Sequence, residues 1–169
     1  MRVRNLGQHG IILLLLVVTH GCARAPDARS AYRAGRFAEA YAKLNTAANQ
    51  GDVTAQDAVG VLYYTGVGVA RDYRKAVYWF ERAALAGDGS AQRHLGSMFR
   101  QGLGTNKDDF RAFGWYAAAR SAGHPRALFY MQWMALVLGT NQQALGERIV
   151  AKDLKNGQVS HAEIAKGNG

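Results

Sequence analysis

Residues 51–86 read GDVTAQDAVGVLYYTGVGVARDYRKAVYWFERAALA, and residues 87–122 read GDGSAQRHLGSMFRQGLGTNKDDFRAFGWYAAARSA. Laid over each other without a gap, the two segments agree at 12 of 36 positions: Gly51/Gly87, Asp52/Asp88, Ala55/Ala91, Gln56/Gln92, Gly60/Gly96, Gly66/Gly102, Gly68/Gly104, Asp72/Asp108, Ala76/Ala112, Trp79/Trp115, Ala83/Ala119 and Ala86/Ala122. Other pairs are conservative, among them Tyr63/Phe99, Arg71/Lys107 and Phe80/Tyr116. Unrelated segments of ordinary composition would agree at about two or three positions. A fixed period of this length marks a solenoid, in which one supersecondary unit stacks on the next.

Each copy reads as two helices joined by a glycine turn. Ala55, Val59, Leu62 and Tyr63 recur at helical spacing, and Gly66-Val67-Gly68 stops the run with residues that tolerate positive φ. Asp72 then offers an N-cap, since its carboxylate can accept a hydrogen bond from an amide that the helix leaves unpaired. Ala76, Trp79, Phe80, Ala83 and Ala84 form the buried stripe of the second helix, and Gly87 suits a left-handed terminator. The second copy repeats this with Ala91, Leu95, Met98 and Phe99, then Gly102-Leu103-Gly104, the cap Asp108, and Ala112, Trp115, Tyr116 and Ala119 before Gly123. Small residues at 60, 83, 96 and 119 let the helices approach, and the tryptophans fill the space between successive pairs. No hairpin of this kind has a core alone; stacking supplies it.

The pattern A-x-x-x-[VL]-G-x-x-[YF]-x-x-G-x-G-x-x-[RK]-D-x-x-x-A-x-x-W-[FY]-x-x-A resembles the Sel-one-like repeat, a relative of the tetratricopeptide repeat. The resemblance covers 51–122 closely and roughly 27–154 loosely. It implies an all-α fold, a right-handed α-solenoid of helix–turn–helix repeats, and a role in binding other proteins. On this reading 27–50 is an N-terminal capping hairpin, 51–86 and 87–122 are full repeats, 123–154 is a degenerate repeat that closes the array, and 155–169 is a frayed tail. In the cap, Ala31, Tyr32, Gly35, Phe37, Ala40 and Tyr41 give a shorter helix pair, with Arg29, Arg33, Arg36, Glu39 and Lys43 facing water. After Gly123, Pro125 suits the first turn of a helix whose stripe is Ala127, Tyr130, Met131 and Met134. Leu138-Gly139-Thr140-Asn141 echoes Leu103-Gly104-Thr105-Asn106, and a final helix is expected over about 142–154, with Leu145, Ile149, Val150 and Leu154 inward. An amphipathic turn from Val159 to Ala165 lies in the tail.

Residues 1–21 read as a signal peptide: Arg2 and Arg4 precede an apolar run, Ile11 to Val18, that is too short to span a bilayer. Ala23-Arg24-Ala25 has the small-x-small form of a general cleavage site, although Pro26 would follow the cut. Thr19-His20-Gly21-Cys22 resembles a bacterial lipobox, which implies lipidation of Cys22 and a short tether over 22–26. Cys22 is the chain's one cysteine, and Ala23 after it suggests the outer rather than the inner membrane. The expectation is a periplasmic protein held to the outer membrane by a lipid on Cys22.

From Cys22 onward the chain has 148 residues, one domain's worth, and a formal charge of +7, the full chain's +9 less Arg2 and Arg4. Its cations are spread along the sequence rather than clustered, so no nucleic-acid partner is expected. The positive excess fits a solvated surface, anionic headgroups near an anchor, or an acidic protein partner.

Catalysis is not indicated. Gly66-x-Gly68 and Gly102-x-Gly104 follow a helix and lack the third glycine of a dinucleotide fingerprint. His94, His124 and His161 lack metal-ligand spacing, and Ser90, Ser97 and Ser121 have no evident base. Asp108-Asp109 is a carboxylate pair, but Asp108 serves as a cap. No catalytic residue, metal site or cofactor is expected.

In tetratricopeptide-like arrays the first helix of each unit lines the concave face. With Gly60 and Gly96 at the close-packing position, the inward-facing residues would be Asp57, Val61 and Tyr64, then Arg93, Ser97 and Arg100, then Phe129, Trp133 and Leu136. Arginine beside exposed aromatics is the composition of an interface hot spot. The other reading packs Phe129 and Trp133 under the C-terminal helix and leaves the arginines merely solvated. The resemblance extends to immunity lipoproteins that neutralise toxins delivered into the periplasm, and alternatively to scaffolds of envelope or polysaccharide-export assembly. A cell-wall hydrolase is the reading of a different class.

Overall fold

The computed structural model describes residues 26–159, which form eight helices and, among these residues, no strand. They are α1 (Pro26–Arg33), α2 (Phe37–Asn49), α3 (Val53–Thr65), α4 (Tyr73–Leu85), α5 (Gly89–Gln101), α6 (Asp109–Ser121), α7 (Ala127–Ala135) and α8 (Thr140–Asn156). The expected signal peptide (1–21), Cys22 with all but the last residue of the expected 22–26 tether, and residues 160–169, His161 included, lie outside the described residues. No described helix is long and apolar enough to cross a membrane. Helices α1 to α7 pack successively on one another, and α8 lies against α6.

The period of 36 is visible in the joints of the two full repeats. Asp52, Asp72, Asp88 and Asp108 cap α3, α4, α5 and α6, each accepting the amide of the residue three positions on at 2.7–3.0 Å. Sequence reasoning assigned only the second and fourth of these. Gly66 and Gly102 end α3 and α5 in the left-handed region, as their positions require. Gln56 and Gln92, repeated but unexplained in the sequence, are buried and join successive units. Their side-chain amides donate to the carbonyls of Ala48 and Ala84, near the end of the preceding helix, at 3.2 and 3.0 Å.

The second glycine of each Gly-x-Gly loop has a packing reason. A Cβ on Gly68 would stand 2.4 Å from the carbonyl oxygen of Phe37, and one on Gly104 would stand 2.3 Å from that of Tyr73. Phe37 and Tyr73 each open the second helix of the preceding unit, so every long loop docks on its predecessor. Inside the hairpins Gly60 lies under Phe80 and Gly96 under Tyr116, where an added Cβ would come within 2.6 and 2.9 Å of the rings. Trp115 and Tyr116 are fully buried, and Trp79 and Phe80 nearly so, in one continuous core.

The repeat breaks at its C-terminal end. Pro125 stands in a turn ahead of α7, not in its first turn, because the helix opens at Ala127. Gly139 does not repeat the docking of Gly104: with φ near −65° it is the N-cap of α8, its amide donating to Gln142 Oε1 at 3.0 Å. Helix α8 begins two residues earlier and ends two later than expected, and Gly157 and Gln158 lead to a buried Val159. Its contact face is Gly146, Val150 and Asp153, whereas Leu145 is exposed. The cause lies in α6: Gly114 stands where α4 carries the half-exposed Tyr78, and this bare backbone lets α8 cross at Gly146. Arg111, buried nearby, reaches Asp108 at 3.2 Å and Asp153 of α8 at 4.0 Å.

Candidate partner-binding face

Residues nominated on α3, α5 and α7 fall into two groups in space. In the first, His94 links Asp57 to Arg93. Its Nδ1 lies 2.9 Å from Asp57 Oδ1, its Nε2 contacts the Arg93 guanidinium, and its ring stacks on Phe80 with centroids 4.7 Å apart. Asp57 and Arg93 occupy equivalent places in successive repeats, so this contact ties α3 to α5 across the face. His124, at the turn before α7, belongs to the same neighbourhood. Burial first, and then the neighbouring Arg93, His94 and Arg126, hold its imidazole below the usual value. Its Nδ1 accepts the Arg126 amide at 3.2 Å, which suits a neutral ring.

The second group joins α5 to α7. The Arg100 guanidinium lies over the Trp133 ring, 5.2 Å from its centroid. Beneath them Tyr116 stacks on Tyr130 with centroids 5.0 Å apart. Burial raises the Tyr116 phenol above its ordinary value, and Arg100 and Ser97 beside it temper the rise. Ser97 Oγ also accepts the Gln101 side chain at 2.7 Å. Phe129 is 66% exposed, Trp133 46% and Leu136 86%, so none of the three lies under α8, which is occupied with α6.

Two nominated residues stand apart from both groups. Val61 packs partly buried against the core, and Tyr64 leans on Tyr73 at the loop end of its hairpin, with ring centroids 5.6 Å apart. Sequence reasoning passed over His94, which it weighed only as a metal ligand. The available signal was the exchange of Ala58 for His94 at equivalent positions, one residue from the Asp57/Arg93 exchange. It also passed over Leu128 and Val137, which extend the exposed apolar surface of α7 and its end. A cavity of about 550 Å³ between α6 and α8, lined by Ala117, Ala118, Val150 and Leu154 among others, involves none of these residues. Among the described residues no group of three or more His, Cys, Asp or Glu side chains is placed to hold a metal ion.

Residues 53–88 and 89–124 each match the family model described as Sel1 repeat, so the chain carries two Sel1 repeats. Solved structures agree on the fold. One is a Sel1 repeat protein from Oxalobacter formigenes, 27% identical with a TM-score of 0.62, the match covering 76% of this chain and 53% of that one. Another is a protective antigen present in uropathogenic Escherichia coli strains and displaying an SLR fold, 23% identical with a TM-score of 0.69, over 86% of this chain and 32% of that one. This chain thus spans about half the length of the first and a third of the second. No curated protein matches it.

Proposed function

We propose that these two Sel1 repeats, with the helices that flank them, act as a non-catalytic protein-binding module whose partner seats on the face formed by α3, α5 and α7. Sel1 repeats are interaction modules, and the observation that carries the reading here is Arg100 laid over the half-exposed Trp133. A cation held on an aromatic ring, with Phe129 and Leu136 exposed beside it, is the composition that dominates binding energy in protein interfaces. With the export-type N-terminus and Cys22, the module works in the periplasm, held to the outer membrane by a lipid. Its role is to neutralise a protein that reaches that compartment, in the manner of a periplasmic immunity lipoprotein. A scaffold for envelope or polysaccharide-export assembly would use the same face and the same anchor.

A photo-crosslinking residue in place of Ser97 tests the binding face in intact cells. A discrete adduct is expected, and it is expected to disappear when Arg93→Glu and Arg100→Glu are added. An adduct unaffected by the double change would overturn the proposed face. Fractionation of a Cys22→Ser variant tests the anchor, which is disproved if that protein still partitions with membranes. A toxin as the captured protein supports neutralisation, whereas an assembly component supports the scaffold.

A further inference from the structure

The solvent-facing side of α7, in the last unit of the solenoid, is apolar where it should be polar. Terminal repeats stay soluble by presenting polar residues on their outer face. Here Leu128, Phe129, Trp133, Leu136 and Val137 are all exposed. The reason is architectural. In α3–α4 and α5–α6 the second helix of the unit covers the first, but α8 is drawn onto α6 by the Gly114–Gly146 crossing. Helix α7 is therefore left with α6 behind it, where Tyr130 stacks on Tyr116, and no strong packing from α8. A contiguous apolar patch of this kind on a soluble protein marks a docking site.

The charges around the patch choose among occupants. Among the described residues no carboxylate lies within ion-pair distance of Arg93, Arg100 or Arg126. Arg100 sits directly on the patch through Trp133. A second copy of this chain would bring its own Arg100 and, from Cys22 onward, a formal charge of +7 against the same surface, and like charges brought together in an apolar contact are unfavourable. A helix from another protein, apolar on one face and bordered by glutamate or aspartate, would satisfy both features. It would also take the covering place beside α7 that α8 vacates.

We infer that α7 receives an amphipathic, acidic-bordered helix of the partner protein, with Phe129, Trp133 and Leu136 as the apolar seat and Arg100 as the charge that selects it. This rests on the partner-binding reading above and adds the partner's chemistry and the manner of its seating.

Trp133 supplies the readout. Of the chain's three tryptophans, Trp79 and Trp115 are buried, so Trp133 dominates any change in emission when the patch is covered. The full chain is titrated with a synthetic amphipathic helix whose apolar stripe is bordered by glutamates, and with the same peptide bordered by lysines. The glutamate peptide should shift the emission to the blue and bind at least roughly tenfold more tightly than the lysine peptide. Leu136→Asp, at a side chain that supports no packing, should weaken it by roughly tenfold or more. Arg100→Gln should narrow the gap between the peptides. Equal binding of both peptides, or binding of neither, would overturn the inference. So would dimerisation in light scattering that Leu136→Asp abolishes, which identifies a second copy. A change in Trp133 emission on deleting residues 160–169, without peptide, would overturn it too, because the chain's own tail would then be the occupant. An adduct at position 97 that survives Leu136→Asp unchanged would refute this seating and leave the protein-binding reading standing.

Discussion

A Cβ placed on Gly114 would lie 2.2 Å from the carbonyl oxygen of Gly146, and one on Gly146 would lie 2.1 Å from that of Phe110. Helices α6 and α8 therefore touch backbone to backbone, with no side chain between them. Gly114→Ala forces the helices apart and should lower the unfolding free energy by about 2–3 kcal/mol, at the upper end for overpacking. Gly123→Ala provides the contrast. Its Cβ meets nothing within 4 Å, and only its φ of +80° resists substitution, so its cost should be about 1 kcal/mol. Urea unfolding of both variants checks the difference, and limited proteolysis should show α8 released only in the first.

The docked loops give a second prediction. Gly68→Ala and Gly104→Ala each place a methyl group against backbone of the preceding unit, whereas Gly51→Ala, also at positive φ, enters open space. The first two should destabilise the chain more than the third and reduce cooperativity, because the joint between units is what they damage. Comparing denaturant m-values with thermal profiles would reveal a split transition.

Asp88 and Asp108 perform the same capping task at different stakes. Asp88→Ala should cost about 1 kcal/mol, the ordinary value of a cap. Asp108 also pairs with the buried Arg111 at 3.2 Å. Asp108→Ala removes the cap and the nearer carboxylate of a buried cation, and should cost about 3–5 kcal/mol. If the two variants unfold at the same denaturant concentration, the Arg111 pairing contributes nothing.

His124 sets the response to mild acid. Burial and the cations around it lower its folded pKa below the unfolded value of 6.5. The unfolded chain then binds a proton more readily than the folded one. Stability is complete above pH 6.5 and declines as the pH falls from there through the folded value. His124→Gln should remove that part of the decline, as followed by the urea midpoint between pH 7.5 and 5. Persistence of the whole decline in the variant would place its origin elsewhere.

Much of this was written in the periodicity, and what escaped it has physical causes. Gly60, Gly66, Asp72 and Trp79 with their counterparts specify the hairpins because each acts within its own unit, where spacing alone identifies neighbours. Gln56, Gln92, Gly68 and Gly104 were visible as repeated residues, but their work lies between units and needs coordinates to show. The passage from α7 to α8 was misjudged because Gly139 echoes Gly104 in letters and not in setting: it caps α8 with φ near −65°, and a Cβ on it would meet only Gln142 and no backbone of α6. Gly114 signified nothing until Gly146, distant in sequence, was seen against it. The nominated face was legible as a set of helix positions, whereas the Asp57–His94–Arg93 contact spans two repeats and depends on rotamers that no spacing encodes.

Gly68 and Gly104 both reach backwards, onto Phe37 and Tyr73, helix starts that the ribosome has already delivered. Loop docking thus runs in chain order: each long loop settles on backbone already made, while its hairpin still draws part of its core from the unit that follows. A chain assembled in that order can consolidate while its distal part is still emerging. It should tolerate truncation from the C-terminal side, unit by unit, far better than loss of its first hairpin.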